Sequence, residues 1–199
     1  MKRHISISLG NTKLGKIPQF NLAPKLSCQN SKYCSGVFEG RKFECYAIKA
    51  WRQYADTRKA WTKNIKLCHT RLSLVEDELR QYFDRSRPKW FRIHSAGDFF
   101  SQEYLDMWLR LATTYQDIKF LAFTKAYGLN FSRAPKNLKV VYSVMPETPL
   151  ADVPVGSRAY AGPVPQLVSG RLFSCPGTCE GCGVCWNLRD YEHVHFDLH

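Results

Sequence analysis

The chain has 199 residues, 44% of them hydrophobic and 14% aromatic, and it carries 29 Lys and Arg against 17 Asp and Glu, a net charge of +12. So apolar a chain offsets its ordering entropy, which excludes disorder as the main state, and the length suits a single domain over 1–199. No run approaches the roughly 18 apolar residues of a transmembrane helix, and the opening MKRHISISLG lacks a secretory apolar stretch, so a cytoplasmic protein without membrane contact is expected.

In chain order, the first forty residues are rich in Gly, Pro, Asn, Ser and Lys, with His4–Leu9 and Ile17–Leu22 reading as short strands between turns. From Ala47 to Cys68 the apolar positions Trp51, Tyr54, Ala55, Trp61 and Ile65 recur at helical spacing, and a second helix is expected over Leu72–Phe83. After Arg87-Pro88 strand and helix alternate. Strands are expected at Trp90–His94, Ile118–Phe123, Leu138–Val144 and Arg158–Ala161, with a Ser101-capped helix to Thr114 and a short helical piece at Ala126–Ser132. Repeated βα units argue for an α/β fold with a parallel sheet. A full eight-stranded barrel takes about 250 residues, so the expectation is an incomplete barrel of about five or six strands. Within the single domain, a basic Cys-containing part (1–72) precedes the βα units (88–162) and a Cys-rich C-terminal segment (170–199).

In parallel α/β folds the reactive groups gather at the carboxyl ends of the strands. Here those ends carry His94-Ser95-Ala96-Gly97-Asp98, Thr124-Lys125 and Met145-Pro146-Glu147. His94, Asp98 and Lys125 are therefore candidate catalytic residues, and Ser95, Gly97, Thr124 and Glu147 candidate cofactor contacts. Taken singly, His94 reads better as a core histidine and Asp98 as a helix-preceding cap; their joint placement brings the functional reading level with these.

Eight cysteines in a reducing compartment are better read as metal ligands than as disulfides. Cys175, Cys179, Cys182 and Cys185 form a C-x3-C-x2-C-x2-C run separated by Gly and Pro. Four thiolates within eleven residues resemble the cluster-binding runs of ferredoxins, whereas one zinc is usually held by two separated C-x2-C knuckles. A [4Fe–4S] cluster is the expectation and zinc the alternative. Cys28, Cys34 and Cys45 leave a fourth position open, which suits a second [4Fe–4S] cluster with one free iron or a catalytic zinc. Cys68 reads as a small buried apolar residue.

The charge divides unevenly as well. Residues 1–72 hold fifteen Lys and Arg and only three acids, Glu39, Glu44 and Asp56, while residues 73–199 hold fourteen of each. The basic segment points to a nucleic acid or an anionic small molecule as partner, to an anionic cluster held nearby, or to a solvated face.

The stretches Asn11-Thr12-Lys13-Leu14-Gly15-Lys16-Ile17-Pro18, Cys28, Cys34, Cys45-Tyr46-Ala47, Arg92 to Phe99 and Phe123-Thr124-Lys125 together resemble the phage-encoded "gene product 88" family. The Cys-Tyr-Ala element is similar to phage proteins related to radical S-adenosylmethionine enzymes. The resemblance implies a viral origin, a location in the host cytoplasm and a partial-barrel iron–sulfur fold. It also implies S-adenosylmethionine as a possible cofactor at Cys28, Cys34 and Cys45, with His94, Asp98 and Lys125 lining the pocket. The radical pattern is C-x3-C-x2-C, from which the x5 and x10 spacings here depart; Cys175-x3-Cys179-x2-Cys182 matches it.

Overall fold

The computed structural model describes residues 3–29, 34, 36–38, 40–166 and 168–197. Its centre is an eight-stranded sheet in the order β1 (Ile7–Ser8), β2 (Gln19–Phe20), β5 (Trp90–Ile93), β6 (Lys119–Thr124), β7 (Leu138–Val144), β8 (Arg158–Ala161), β10 (His193–Phe196) and β9 (Leu172–Ser174). Only the β1–β2 pair is antiparallel; every other neighbouring pair is parallel. A separate hairpin joins β3 (Gly36–Phe38) to β4 (Arg41–Phe43). The α/β class and the parallel sheet agree with the sequence reading. The sheet is larger than the expected five or six strands: it has eight, because the short pieces β1, β2, β9 and β10 extend it at both sides, and β1 and β9 are its edges among the described residues.

Alternation along the strands divides the sheet into two faces. Phe91 and Ile93 of β5, with Phe120 and Ala122 of β6, point toward α2 (Ala55–Thr70), α3 (Leu72–Ser86) and α4 (Gln102–Thr114), where the larger core lies. Leu121, Val141, Ala159 and Val194 point the other way, into a smaller core closed by Leu14 and Ile17 of an N-terminal loop and by Trp186 and Leu188. This second face is concave. Phe123 of β6 and Phe196 of β10 lie 5.6 Å apart between ring centroids, although two strands separate theirs and a flat sheet would hold the backbones about 14 Å apart.

Where local signals were strong the elements match the sequence. Ser101 caps α4, its Oγ accepting the Tyr104 amide, and β7 and β8 occupy their expected residues. The helix expected over Ala47–Cys68 is instead two helices, α1 (Tyr46–Gln53) and α2, with Tyr54 extended between them. In one straight helix Trp51 and Thr62 would stand about 16 Å apart along the axis. The break folds α1 back so that Trp51 Nε1 donates to Thr62 Oγ1 at 3.3 Å, while Arg58 donates to the Arg52 carbonyl at 3.1 Å and closes the end of α1. The helical piece expected at Ala126–Ser132 is a series of turns, each closed by one backbone bond (Leu129 to Ala126, Ala134 to Phe131). Asn130 interrupts it, its Oδ1 accepting the Ser132 amide.

Candidate functional site

Because the strands run parallel, their carboxyl ends share one rim, and the loop after β5 is fastened there by side chains. Asn21 Oδ1, just past β2, accepts the amides of Ser95 and Ala96 at 2.7 and 3.2 Å. Gly97 turns with φ +87°, and a Cβ there would meet Ser27 Oγ at 2.6 Å and Leu22 Cβ at 2.7 Å, so this position takes no side chain. Asp98 is 5% exposed. One of its carboxylate oxygens accepts Thr124 Oγ1 at 2.7 Å and the Phe99 amide at 2.8 Å; the other accepts the Lys125 amide at 2.8 Å. Asp98 thereby joins the ends of β5 and β6.

The structure thus brings Ser95, Gly97, Asp98, Thr124 and Lys125 together. Glu147 is exposed in the turn after β7. The His94 ring faces the helix layer, between Phe99, Tyr104 and Trp108, with Nε2 hydrogen-bonded to Tyr104 Oη at 2.7 Å. Burial, helped by the nearby Arg92 charge, pushes His94 down to about 3, which keeps the ring neutral.

Cys28, Cys34 and Cys45 gather at this rim, all half-buried. Burial pushes the Cys28 thiol up to about 11, with Asp98 and Cys34 adding to it. Burial raises Cys34 as well, while Lys125 opposes and Cys45 adds. For Lys125 burial works the other way, but the neighbouring Cys34 and Asp98 outweigh it and hold the ammonium charged. Cys45 precedes α1, whose first residue, Tyr46, donates its hydroxyl to the Ser95 carbonyl. Tyr46 keeps 66% of its surface open, while burial of its hydroxyl end against the loop after β5 pushes its pKa up and Arg92 opposes.

The second cysteine group lies against the concave face. Cys175 follows β9 and donates its amide to the His195 carbonyl at 2.9 Å; the Cys179 amide reaches the Lys13 carbonyl at 2.8 Å. A short helix, α5 (Cys179–Cys182), ends at Gly183 with φ +62°, where a Cβ would meet the Trp90 ring at 2.6 Å. Trp90 stacks on Trp186 at 5.4 Å, and Trp186 Nε1 donates to the Phe91 carbonyl, which seats the segment on β5. Burial raises the Cys179 thiol and pushes Cys185 up to about 12, with Arg92 opposing both. Cys175, Cys179, Cys182 and Cys185 lie within electrostatic reach of one another. Among the described residues no three His, Cys, Asp or Glu side chains converge closely enough to hold a metal ion.

Residues 3–154 match the sequence family described as Gene product 88. The chain belongs to that family. Over 77 residues it is 32% identical to the Gene 88 protein of Mycobacterium phage D29 and 38% identical to the Gene 88 protein of Mycobacterium phage L5. The matched stretch is 37% of this chain and 32% of each relative, so the chain spans about a third of the length of the curated relatives it matches. No solved structure matches it. The family resemblance read from the residues is therefore correct, and it sets the chain among bacteriophage proteins. No helix among the described residues is long and apolar enough to cross a membrane.

The family match contains Cys28, Cys34, Cys45 and the rim, and ends before Cys175. Between the two cysteine groups lies Arg92, which sequence reasoning missed. Its guanidinium packs 4.1 Å from the Phe123 ring centroid, its Nε donates to the His94 carbonyl at 3.0 Å, and its charge interacts with Tyr46 on one side and with Cys179 and Cys185 on the other. The signal for it was in the sequence: a lone charge in the apolar strand Trp-Phe-Arg-Ile. Cys68 lies elsewhere, in the helix-side core.

Proposed function

We propose that this family member is an iron–sulfur protein of redox function. Cys175, Cys179, Cys182 and Cys185 would hold a [4Fe–4S] cluster, and Cys28, Cys34 and Cys45 a second, three-thiolate site whose open position takes an anionic ligand. The observation that carries the reading is the common setting of the two groups. Seven half-buried thiols form two groups, Cys179 and Cys185 within electrostatic reach of Arg92 and Cys34 within reach of Lys125, and Tyr46 interacts with Arg92 on one side and with Cys34 and Cys45 on the other.

The donor set fits such a cluster in kind. Burial makes an isolated thiolate unfavourable at Cys28, Cys34, Cys179 and Cys185, and a bound metal reverses that balance by neutralising the charge. A [4Fe–4S] core supplies one-electron chemistry when bound. Arg92 offsets the negative charge of thiolate-ligated iron and thereby raises its potential. Lys125 presents an ammonium to an anionic ligand at the first group, and the Asp98 hydrogen bonds fix its backbone. Tyr46 stands at the same rim.

Anaerobic purification followed by an absorption spectrum and iron, sulfide and zinc analysis tests this directly. Iron and sulfide in matching amounts are expected, with loss of iron in Cys182→Ser and Cys185→Ser. Stoichiometric zinc without iron or sulfide overturns the reading in favour of zinc-stabilised folding. With a cluster present, dithionite and S-adenosylmethionine decide the radical branch, which requires 5′-deoxyadenosine among the products.

A further inference from the structure

The break at Tyr54 that folds α1 onto α2 leaves a groove of about 560 Å³ on the helix pair, lined by no cysteine. Trp51, Thr62 and Leu67 line it together with Arg58, Lys59, Lys63 and Lys66. Lys59, Lys63 and Lys66 are spaced four and three residues apart, which puts their ammonium groups on one face of α2. From Tyr46 to Arg71 the only acid is Asp56, which lies 3.9 Å from Lys59; the nearest acid before it, Glu44, pairs with Arg52 at 3.1 Å. No carboxylate pairs with Arg58, Lys63 or Lys66 among the described residues.

The floor is as telling as the rim. The lining surface is almost wholly apolar, made of the Trp51 ring, Leu67 and the methylene stems of the lysines. Trp51 is fixed rather than free: its Nε1 donates to Thr62 Oγ1, and the Arg58 guanidinium lies 6.0 Å from its ring centroid. A rigid aromatic in a shallow groove beside a row of cations matches a flat base that stacks while its phosphates meet ammonium groups. A duplex keeps its bases stacked inside and offers only phosphates.

We infer that the α1–α2 groove binds single-stranded nucleic acid, with one base against Trp51 and the backbone along Lys59, Lys63 and Lys66. The inference is independent of the cluster reading, because none of these residues touches a cysteine group.

Fluorescence anisotropy of the full chain with a labelled oligothymidylate, across a salt series, tests it. Affinity should fall with salt, with a log–log slope of roughly −0.7 for each phosphate contacted. Lys63→Glu combined with Lys66→Glu should weaken binding and flatten that slope by about 1.4, twice the single-phosphate value. Trp51→Leu should weaken binding at least about fivefold with the slope unchanged, since stacking is not electrostatic. Lys63→Gln with Lys66→Gln repeats the first test without charge reversal, and thermal melting of each variant verifies the fold. Equal affinity of the variants and the parent overturns the inference, as does tighter binding to a duplex of the same length or to phosphatidylserine vesicles. Iron content measured on the same samples should not change. Loss of the cluster reading with retention of groove binding would therefore leave this inference standing, and the converse result would leave the cluster.

Discussion

Asn64 is a fully buried polar side chain on α2 whose three hydrogen bonds hold down the N-terminal strands. Its Oδ1 accepts the Ser6 amide, and its Nδ2 donates to the Ser6 and Asn21 carbonyls, at 2.8, 2.8 and 2.9 Å. Asn64→Leu strands these backbone groups, and we expect a loss of roughly 2–4 kcal/mol, read as a lower urea midpoint. Glu78, 3% exposed on α3, does similar work for the residues just before. Burial alone would raise its pKa, but the amides of Ile5 and His4 donate to the carboxylate and hold it below the usual range. A carboxyl whose folded value is depressed stabilises fully above its unfolded value, near pH 4.3, and that contribution is lost as pH falls through the folded value. Urea midpoints of the parent should therefore drop more steeply below about pH 4.3 than those of Glu78→Gln, which has no such proton to gain. Neither residue announces itself in the sequence, because a lone Asn or Glu in a helix gives no sign of which backbone groups lie opposite.

At the scale of elements, legibility followed the length of the repeating signal. The seven residues of β7 and the capped helix α4 carry periodicity long enough to read, and both fall where the sequence puts them. The short strands β9 and β10, three and four residues, do not: Leu-Phe-Ser and His-Val-His-Phe lie in a segment dominated by cysteine and glycine. The break at Tyr54 escaped for another reason, since no Pro or Gly marks it and the contact that goes with it, Trp51 to Thr62, joins residues eleven apart. The turn after α5 is an exacting backbone position in the Cys-rich segment. Gly183→Ala places a Cβ in a left-handed conformation against Trp90, and we expect a destabilisation of about 1–3 kcal/mol, measured as a lower melting temperature. A fall of that size with iron content unchanged would separate the packing of this turn from ligation.

For the whole molecule, the charge excess proves to have an address. Among the described basic residues of 1–72, Lys13 lies near the second cysteine group, while Arg58, Lys59, Lys63 and Lys66 line the α1–α2 groove. The convergence of strand ends on one rim was legible, because parallel strands leave no other arrangement. The curvature that sets Phe123 against Phe196, and the position of Arg92 between the cysteine groups, were not, because both depend on contacts between residues far apart in the chain.

The strand order carries a consequence for assembly. β10 lies between β8 and β9, and β9 has no other strand partner. The ribosome makes β8 and β9 first, so these two strands must wait with a gap one strand wide until β10 emerges to fill it. The four cysteines from Cys175 to Cys185 sit on the connection from β9 to β10, held on one side by Lys13, Trp90 and Phe91, which the ribosome makes early, and on the other by the Cys175 amide to the His195 carbonyl of β10. The last of these anchors closes only when β10 is inserted, so completion of the sheet and final seating of Cys175 coincide in time.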